Sequence, residues 1–418
     1  MADLIETSDQ ERFELRALEI LAHPRMRNAV AAERTRWLGL TPPRQDMANA
    51  FERYYPEVVF GAIIWSLNCD SERPAVVTIS RVPHRLRGHI IPGSRWGIDN
   101  PDTVYRVIPI SGAERYIIRG RVAEKRLTEN YFTLWDASMG TVDVLDGKAL
   151  VLDPDGRFEI TVDADPKGGR PNHIRSTPEA REFYIRDVLM DWAHESVNEL
   201  SIERLGGAPS RPAPTFDEQV DAAIAMLTKN IDNTIRWNAQ ARDKPVNLFD
   251  FTIDRDSDGA LRNQLYIMGH FDLSPEEALV IDVGLGGAGY FLAPISNWWG
   301  TTNEIIHRNG SLNLSQSERN PNGNLTYVVS LKDPGVHNWL DPCGMAEGIL
   351  TLRWAEFADG RPGTGFGATS RVVPLAHLKT ELHPDTRWLT QSERHTQLQA
   401  RAASYVRRIS EPVEWSES

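Results

Sequence analysis

Apolar residues at helical spacing open the chain. Residues 8–11 (Ser-Asp-Gln-Glu) form a capping-box sequence, in which a hydroxyl and a carboxylate each satisfy a free backbone N–H group of a helix's first turn. Apolar side chains then recur at roughly helical intervals: Phe13, Leu15, Leu18 and Leu21. Pro56 interrupts the later apolar stretch at residues 46–69, so the pattern predicts two helices there rather than one.

The hydrophobic period changes to two at about residue 99, which favours β-strands. Residues 105–108 and 116–119 show this alternation. Residues 153–156 (Asp-Pro-Asp-Gly) are typical of a turn, and they lead into a predicted strand at 158–162. A second β-rich stretch runs from about residue 248 to 378. The chain therefore contains two β regions.

Two further helices are predicted outside the β regions. The Gly- and Pro-rich residues 206–215 indicate a linker, and the capping box at 215–218 precedes an apolar stripe of helical spacing: Val220, Ile224, Leu227, Ile231 and Ile235. A third capping box, at residues 390–393, precedes a C-terminal helix. The predicted organisation is a helical segment at 1–70, a first β-sandwich at 71–205, a linker and amphipathic helix at 206–245, a second β-sandwich at 246–380 and a C-terminal helix at 381–418.

The two β regions resemble each other in sequence. Residues 153–158 (Asp-Pro-Asp-Gly-Arg-Phe) recur as residues 320–325 (Asn-Pro-Asn-Gly-Asn-Leu), at an offset of 167. The same offset, within one residue, relates two further pairs: Asn172 with Asn338, and Arg186 with Arg353. Turns of this kind also occur in unrelated sandwiches, so chance similarity is the alternative. We expect a duplicated sandwich, and unrelated strand orders in the two halves would refute that hypothesis. The alignment also favours a strand over a helix at residues 182–189.

Two motifs resemble those of known bacterial families. Residues 333–341 (Asp-Pro-Gly-Val-His-Asn-Trp-Leu-Asp), continuing through Gly344 and Gly348 to residues 352–354, resemble the C-terminal signature of the family known as domain of unknown function 1214. Residues 100–105 (Asn-Pro-Asp-Thr-Val-Tyr) are similar to the motif of its usual neighbour, domain of unknown function 1254. The resemblance covers roughly residues 95–380. It implies a β-rich α+β fold with an Ig-like and then a jelly-roll-like sandwich, surrounded by helices, and it implies no settled reaction.

Composition narrows the expected partners and location. Asp and Glu total 58 against 46 for Lys and Arg, which gives a net charge of −12. Such a surface repels phosphate backbones and anionic lipids, so we expect neither nucleic acid nor a membrane as a partner. The first residues lack the basic and apolar regions of an export signal, and no long uncharged apolar run occurs, so a cytoplasmic protein is expected. Two cysteines are too few for a disulfide framework or a thiolate metal site.

Two loop motifs resemble those of known ligand-binding sites. Residues 284–289 satisfy G-x-G-x-x-G after an apolar run, but a dinucleotide site needs a helix to begin there. Pro294 follows five residues after the last glycine, which favours a tight connection between strands.

Residues 254–259 (Asp-Arg-Asp-Ser-Asp-Gly) match the opening of a calcium loop, with Asp254, Asp256 and Asp258 as candidate ligands. Leu265 stands where an EF-hand has its bidentate Glu, which excludes an EF-hand. A weaker calcium site and a solvated acidic hairpin both stay open. No other metal and no organic cofactor are predicted.

Carboxylates and aromatic rings occur in segments that two packed sandwiches could bring together. The resulting cleft would hold acids for proton transfer and rings for stacking on a ligand. The candidate catalytic residues are Asp99, Asp102, Tyr105 and His337; the candidate ligand-binding residues are Trp298, Trp299, Asn338, Asp341 and Arg353. The alternative is architectural: Asn338 would cap a turn, Trp339 would fill the core, and Arg353 would pair with a carboxylate.

Two functions stay open. The first is a hydrolase or lyase without an organic cofactor, which acts on a carbohydrate-like or hydrophobic small molecule in a cleft between the sandwiches. The second is a small-molecule-binding or structural protein without turnover. A buried acid within about 3.2 Å of a His or Tyr would favour the enzyme, and a wide aromatic groove without such a pair would favour binding. In both cases the expected partner is a small molecule, and a homo-oligomer is compatible with either.

Overall fold

Two β-sandwiches and the helices around them form the computed structural model of the chain, which describes residues 1–249 and 264–413. The predicted β-rich α+β fold is confirmed. The α-helices are α1 (Ala2–Ile5), α2 (Ser8–Leu21), α3 (Pro24–Leu40), α4 (Gln45–Leu67), α5 (Phe216–Arg242), α6 (Leu378–Glu381) and α7 (Gln391–Val406). The strands of the first half are β1 (Val77–Thr78), β2 (His84–Leu86), β3 (His89–Ile91), β4 (Thr103–Pro109), β5 (Tyr116–Arg121), β6 (Glu129–Asp136), β7 (Thr141–Asp146), β8 (Arg157–Asp163), β9 (His173–Arg175), β10 (Ala180–Val188) and β11 (Glu199–Arg204). Those of the second half are β12 (Gln264–Asp272), β13 (Glu277–Gly284), β14 (Ala288–Ser296), β15 (Ser311–Asn313), β16 (Leu325–Val329), β17 (Trp339–Leu340), β18 (Glu347–Phe357) and β19 (Gly367–Pro374).

Two details of the N-terminal helices differ from the sequence prediction. The N-cap of α2 is Thr7, one residue before the predicted Ser8, and its hydroxyl accepts a hydrogen bond from the backbone of Gln10 at 3.2 Å. The prediction of two helices around Pro56 is wrong, because α4 runs unbroken through that residue. Pro56 has no N–H group to donate to the carbonyl of Glu52. Both residues face solvent, so water can form a hydrogen bond with that carbonyl. The opposite face of α4 stays packed in the core. The capping boxes that begin α5 and α7 are confirmed.

Each sandwich consists of two sheets that face each other across an apolar core. In the first, the sheet β1-β4-β10-β6-β7 packs on the sheet β11-β5-β8-β9. In the second, the sheet β12-β18-β14-β15 packs on the sheet β19-β13-β16-β17. Apart from the short β1, these orders are the same when the strands are matched along the chain. The described strands of the two sandwiches are thus connected in the same order. The family resemblance implied an Ig-like and a jelly-roll-like unit, but the strand order is the same in both halves.

The repeated turn has the same geometry in both halves. Gly156 and Gly323 adopt φ angles of 80° and 83°, a region that favours glycine. Each donates its N–H to the carbonyl three residues earlier, at 2.9 Å and 2.8 Å. This turn leads into β8 in the first half and into β16 in the second, and each of these strands pairs in parallel with a short strand that follows it. The duplicated sandwich predicted from the sequence therefore has the strand orders that it requires.

The glycine-rich residues 284–289 form the tight connection between β13 and β14. Gly286 and Gly287 adopt φ angles of 57° and 83°, and the chain enters a strand rather than a helix at Ala288. The interpretation as a strand connection is confirmed.

Candidate functional site

The two sandwiches meet through the outer faces of two sheets, and we call the space between these faces the seam. On β10, the side chains of Phe183 and Ile185 enter the core of the first sandwich, so Tyr184 and Arg186 point outward. On β18, Leu352 enters the core of the second sandwich, so Arg353 points outward as well. The sequence repeat therefore places equivalent arginines on the two faces that meet.

Contacts across the seam join the sandwiches directly. The side-chain amide of Gln264, on β12, donates a hydrogen bond to Glu129, on β6, at 2.5 Å. The hydroxyl of Tyr131, on β6, donates to Glu356, on β18, at 2.7 Å. Four buried apolar side chains from both sandwiches also pack together: Val188, Tyr290, Leu292 and Ala355.

Arg186 and Arg353 are both buried in the seam but have different partners. Arg186 lies 2.9 Å from Oε1 of Glu129, and the nearby carboxylate raises its pKa although burial lowers it. Nη1 is the atom at this distance, and it is not aligned for a hydrogen bond with Oε1; Nη2 has no acceptor among the described residues. Arg353 donates from Nη2 to the carbonyl oxygens of Ile98 at 2.8 Å and Asp99 at 3.2 Å. Within the described residues, its Nε has no acceptor.

Other polar atoms on the same two faces are also unsatisfied. The hydroxyls of Thr133 on β6 and Thr351 on β18 are buried, and neither has a hydrogen-bond partner within residues 1–249 and 264–413. The same holds for Oε2 of Glu129 over these residues. Buried polar groups of folded proteins are almost always hydrogen-bonded, to protein, water or ligand. A polar ligand that reaches both arginines would form hydrogen bonds with several of these atoms at once.

A stack of aromatic rings continues the face beside Arg186. The Trp135 and Tyr184 rings lie 4.0 Å apart and nearly parallel, and Tyr105 stacks on Tyr184 at 5.3 Å. Three more rings surround this stack, from α4, from the loop before β4, and from α5: Trp65, Trp96 and Trp237. Trp96, Trp237, Tyr266 and Met268 are only half-buried, so solvent reaches the aromatic end of the seam.

Glu182 lies at the outer end of this aromatic face, one outward position beyond Tyr184 on β10. Its carboxylate accepts a hydrogen bond from the Trp65 indole N–H at 2.9 Å. Burial raises its pKa, and this effect exceeds the opposite effect of that hydrogen bond. The side chain is half-buried, so it is an acid beside apolar rings with some access to solvent.

Asp102 connects the loop before β4 to the second sandwich. It accepts hydrogen bonds from the indole of Trp192 at 2.8 Å, the hydroxyl of Tyr290 at 2.8 Å and the amide of Asn313 at 3.0 Å. It is 0% exposed, and burial raises its pKa to about 6 although the three donors lower it. An acid and a tyrosine thus lie within 3.2 Å, but both carboxylate oxygens are already used as acceptors. This arrangement joins the two halves.

Asp99 and Tyr105 order the same loop. Asp99 accepts hydrogen bonds from the backbone and the hydroxyl of Thr302, at 2.7 Å and 2.8 Å, and lies 3.6 Å from Arg95. The Tyr105 hydroxyl accepts a hydrogen bond from the backbone N–H of Asn100 at 3.0 Å. The Tyr105 ring faces the aromatic stack, so this residue is the one candidate catalytic side chain that borders both the loop and the rings.

Trp298 and Trp299 lie outside the seam, in the helical core. The Trp299 ring packs at 4.8 Å on Phe51 of α4, and Trp298 packs on His270 at 5.7 Å. The Arg242 guanidinium lies 4.8 Å from the centre of the Trp298 ring. Both tryptophans join α4 and α5 to the second sandwich, so the structure does not bring them together with Asp102.

His337 and its neighbours lie at the turn before β17. His337 contacts the amides of Asn338 and Gln397, and burial lowers its pKa. Asn338 is hydrogen-bonded to the backbone of Glu318 and of Thr326, as a turn cap. Asp341 forms a two-point ion pair with Arg308, at 2.7 Å and 3.0 Å. These residues hold loops and α7 in place, apart from the seam.

The calcium candidates Asp254, Asp256 and Asp258 lie outside the described residues. Within residues 1–249 and 264–413, no group of three or more His, Cys, Asp or Glu side chains is placed to hold a metal ion.

Sequence reasoning missed several seam residues: Glu129, Trp135, Glu182, Tyr184 and Tyr266. Each of them except Glu129 lies next to a strand residue that enters a core. The signal that could have identified them is the repeat itself, because it aligned Arg186 with Arg353 and thus marked β10 and β18 as equivalent strands. The residues opposite these arginines on the equivalent strands β4 and β12 are Tyr105 and Tyr266.

One comparison with a solved structure supports the fold. The chain is similar to an uncharacterised protein from Burkholderia cenocepacia, whose crystal structure shares 24% sequence identity with a TM-score of 0.72, over 86% of this chain and 99% of that one. A Vibrio parahaemolyticus protein shares 12% identity with a TM-score of 0.43, over 76% of this chain and 99% of that one. No family model matches the chain, and no curated protein does. The resemblance to the domain of unknown function 1214 therefore stays a prediction.

Every helix within the described ranges is too short or too polar to cross a lipid bilayer.

Proposed function

We propose that the protein binds a small organic anion in the seam, with the anionic group between Arg186 and Arg353 and an apolar body against the aromatic stack. The observation that carries this proposal is the pair of buried guanidinium groups with N–H groups that no described residue accepts. In the seam, Arg186 is paired with Glu129, whereas Arg353 contacts only carbonyl oxygens among the described acceptors. A monoanion would balance the charge of Arg353 and accept the free N–H groups.

The chemistry of the site favours a carboxylate. A guanidinium presents its N–H groups in a planar fork that matches the two oxygens of a carboxylate. The hydroxyls of Thr133 and Thr351 could donate to the same oxygens. The stacked rings of Trp135, Tyr184 and Tyr105 provide an apolar surface beside the arginines. A carboxylic acid with an aromatic or otherwise flat apolar part fits both features.

Turnover of the ligand is a second candidate function, and Glu182 is the observation that favours it. This acid borders the aromatic rings, and burial shifts its pKa upward, which is the direction that favours a general acid. A hydrolase or lyase would place the reacting bond beside Glu182 while the arginines hold a carboxylate. Glu182→Gln separates the two functions, since it should abolish turnover but preserve binding.

Binding can be tested by titrating the purified protein with benzoate, indole-3-acetate and cinnamate, followed by calorimetry and tryptophan fluorescence. Benzamide is the neutral control for benzoate. We expect saturable binding of at least one carboxylate and weaker binding of the amide. Arg353→Met should weaken carboxylate binding by about 10- to 100-fold, because a charge-assisted hydrogen bond contributes about 1.5–3 kcal/mol.

Arg361→Met is the matched control, since it removes the same charge from an exposed turn after β18. It should bind as the unmodified protein does. Equal affinity of Arg353→Met, or equal binding of benzoate and benzamide, would contradict the proposal. So would a failure of all three carboxylates to change the tryptophan emission.

A further inference from the structure

Two Asn-Gly sequences occur in the chain, and their surroundings differ. Asn322 and Gly323 lie in the repeated turn before β16, where Asn322 is exposed. A β-carbon built on Gly323 would meet no atom within 4 Å apart from its chain neighbours, so the space beside this peptide bond is open. Asn309 and Gly310 precede β15, and both are buried. Solvent therefore reaches the first Asn-Gly sequence and not the second.

An Asn-Gly sequence favours a reaction between the Asn side chain and the backbone that follows it, because glycine has no β-carbon to hinder the approach. The backbone nitrogen of the glycine forms a bond with the side-chain carbonyl carbon of the asparagine, and its proton passes to a base in the solvent. The carbon–nitrogen bond of the side-chain amide breaks, and the amide group takes a proton from water and leaves as ammonia. Water then opens the resulting five-membered succinimide ring at either carbonyl, which yields aspartate or isoaspartate.

The repeated turn holds the side chain of Asn322 close to the reacting nitrogen. Its Oδ1 accepts a hydrogen bond from the backbone N–H of Asn324 at 3.0 Å, and this bond closes a ring that contains the nitrogen of Gly323. Gly323 donates its own N–H to the carbonyl of Asn320 at 2.8 Å, and this bond must break before the nitrogen can react. Both bonds lie in an exposed turn, where local opening costs little free energy. The folded chain therefore leaves Asn322 free to react.

Asn309, in contrast, is held by contacts with α7 and with two loops. Its side-chain nitrogen donates a hydrogen bond to Oε1 of Gln397 at 3.0 Å, and its backbone carbonyl accepts one from the N–H of Asp341 at 2.9 Å. A β-carbon built on Gly310 would lie 3.2 Å from the carbonyl oxygen of Glu304. Reaction at Asn309 therefore requires a buried loop to open, so folding protects this residue.

The first sandwich already carries an acid at the position of Asn322. The 167-residue offset pairs Asn322 with Asp155 and Gly323 with Gly156, in turns of the same geometry. An aspartate at position 322 would thus match the turn of the first sandwich. A carboxylate oxygen can accept the hydrogen bond from Asn324 as the amide oxygen does. This product is therefore compatible with the fold.

We propose that Asn322 is a site of spontaneous deamidation in the folded protein and that burial protects Asn309 from the same reaction. Each event at Asn322 adds one negative charge to the repeated turn of the second sandwich. The isoaspartate product also adds a methylene group to the main chain just before β16, whereas the aspartate product restores the residue type found in the first sandwich. This modification site is independent of ligand binding in the seam.

The test is incubation of the full chain at pH 8 and at pH 6 for two weeks, followed by trypsin digestion and mass spectrometry. Trypsin separates the two sites into the peptides 309–319 and 320–332. We expect a mass increase of one dalton in peptide 320–332, which fragmentation places at Asn322 rather than Asn324. The modified fraction should grow faster at pH 8, because the attacking nitrogen must lose its proton. Asn309 should react at least about 10-fold more slowly, because its loop must first open.

Two controls locate the effect. Asn322→Gln keeps the side-chain amide but would have to close a six-membered ring, which is much slower, so peptide 320–332 should stay unmodified in this variant. Incubation in guanidinium chloride removes the protection by folding, so Asn309 and Asn322 should then react at similar rates. An unmodified Asn322 at pH 8, equal rates for the two sites in the folded protein, or an undiminished reaction in Asn322→Gln would overturn the proposal. So would a difference between the sites that persists in guanidinium chloride.

Discussion

The two sandwiches have the same architecture but differ where they meet. Asn172 holds the backbone of Val151 and Glu159 in the first, and Asn338 holds that of Glu318 and Thr326 in the second, through the same three kinds of hydrogen bond. All four backbone partners are related by the 167-residue offset. The two turn caps therefore form equivalent hydrogen bonds in both copies.

The seam arginines show the opposite behaviour. Arg186 faces a carboxylate, Glu129, whereas Arg353 contacts only carbonyl oxygens among the described acceptors. Equivalent positions thus keep one function when they stabilise a single sandwich and diverge when they face the other copy. The difference lies in the seam, where we propose that a ligand binds.

The largest effect is expected from Arg186→Met. Removal of this guanidinium leaves Glu129 buried with only the amide of Gln264 as a donor, and breaking a buried ion pair costs about 3–5 kcal/mol. The free energy of unfolding from urea titration measures this loss. The double variant Arg186→Met/Glu129→Gln should recover most of it, because no charge is left unpaired. A double variant as unstable as the single one would show that Glu129 is not the cause.

Asp102, which joins the copies, should make stability depend on pH. Its folded pKa of about 6 lies above the ordinary 3.8. The stability it contributes is therefore complete below pH 3.8 and is lost as the pH rises through 6, by about 3 kcal/mol for a shift of this size. Asp102→Asn should lack this decline.

The measurement is the free energy of unfolding of both proteins between pH 4 and pH 7. At pH 4 both oxygens of the protonated Asp102 carboxyl can accept a hydrogen bond, whereas the amide of the variant accepts only at its oxygen. The variant should therefore be less stable at pH 4, and the difference in unfolding free energy should narrow as the pH rises. Other buried acids with raised pKa, such as Glu57 and Asp187, contribute equally to both proteins and cancel in the difference. Parallel curves would contradict a raised pKa for Asp102.

Asn172 and Asn338 test the part of the comparison in which the two sandwiches are alike. Asn172→Ala and Asn338→Ala each remove three hydrogen bonds to partly buried backbone, and each should cost about 2–3 kcal/mol of unfolding free energy. We predict that the two variants lose equal amounts of unfolding free energy. Asn322→Ala, in the exposed repeated turn, is the control and should cost less. A large effect for one Asn and none for the other would show that the copies no longer share this cap.

The sequence predicted the architecture better than the site, for a physical reason. Turn chemistry and capping residues act locally, so the repeated turn, Asn172 and Asn338 could be recognised from spacing alone. The seam depends on which face of a strand meets the other copy. Alternation shows that Tyr184 and Phe183 point in opposite directions, but both are apolar enough for a core, so the pattern does not say which faces the partner sandwich.

The grouping of His337 and Trp298 with Asp102 illustrates the same limit. All three lie in or beside loops that flank strands, and the sequence places each near the end of an element. Packing between distant segments determines at which end of a sandwich a loop lies and whether a helix covers that loop. Here α4 and α5 cover Trp298, while α7 covers His337.

The smallest effect on stability is expected from Arg353→Met, although the same variant has the largest expected effect on carboxylate binding. Its removal leaves the carbonyls of Ile98 and Asp99 without one donor, but it also removes a buried charge that faces no described carboxylate. These terms oppose each other, so the change in unfolding free energy should be about 1 kcal/mol or less in either direction. Added benzoate should stabilise the unmodified protein and not the variant. A loss as large as that of Arg186→Met in ligand-free buffer would show that both arginines support the fold in the same way, and the asymmetry of the seam would then have no energetic consequence.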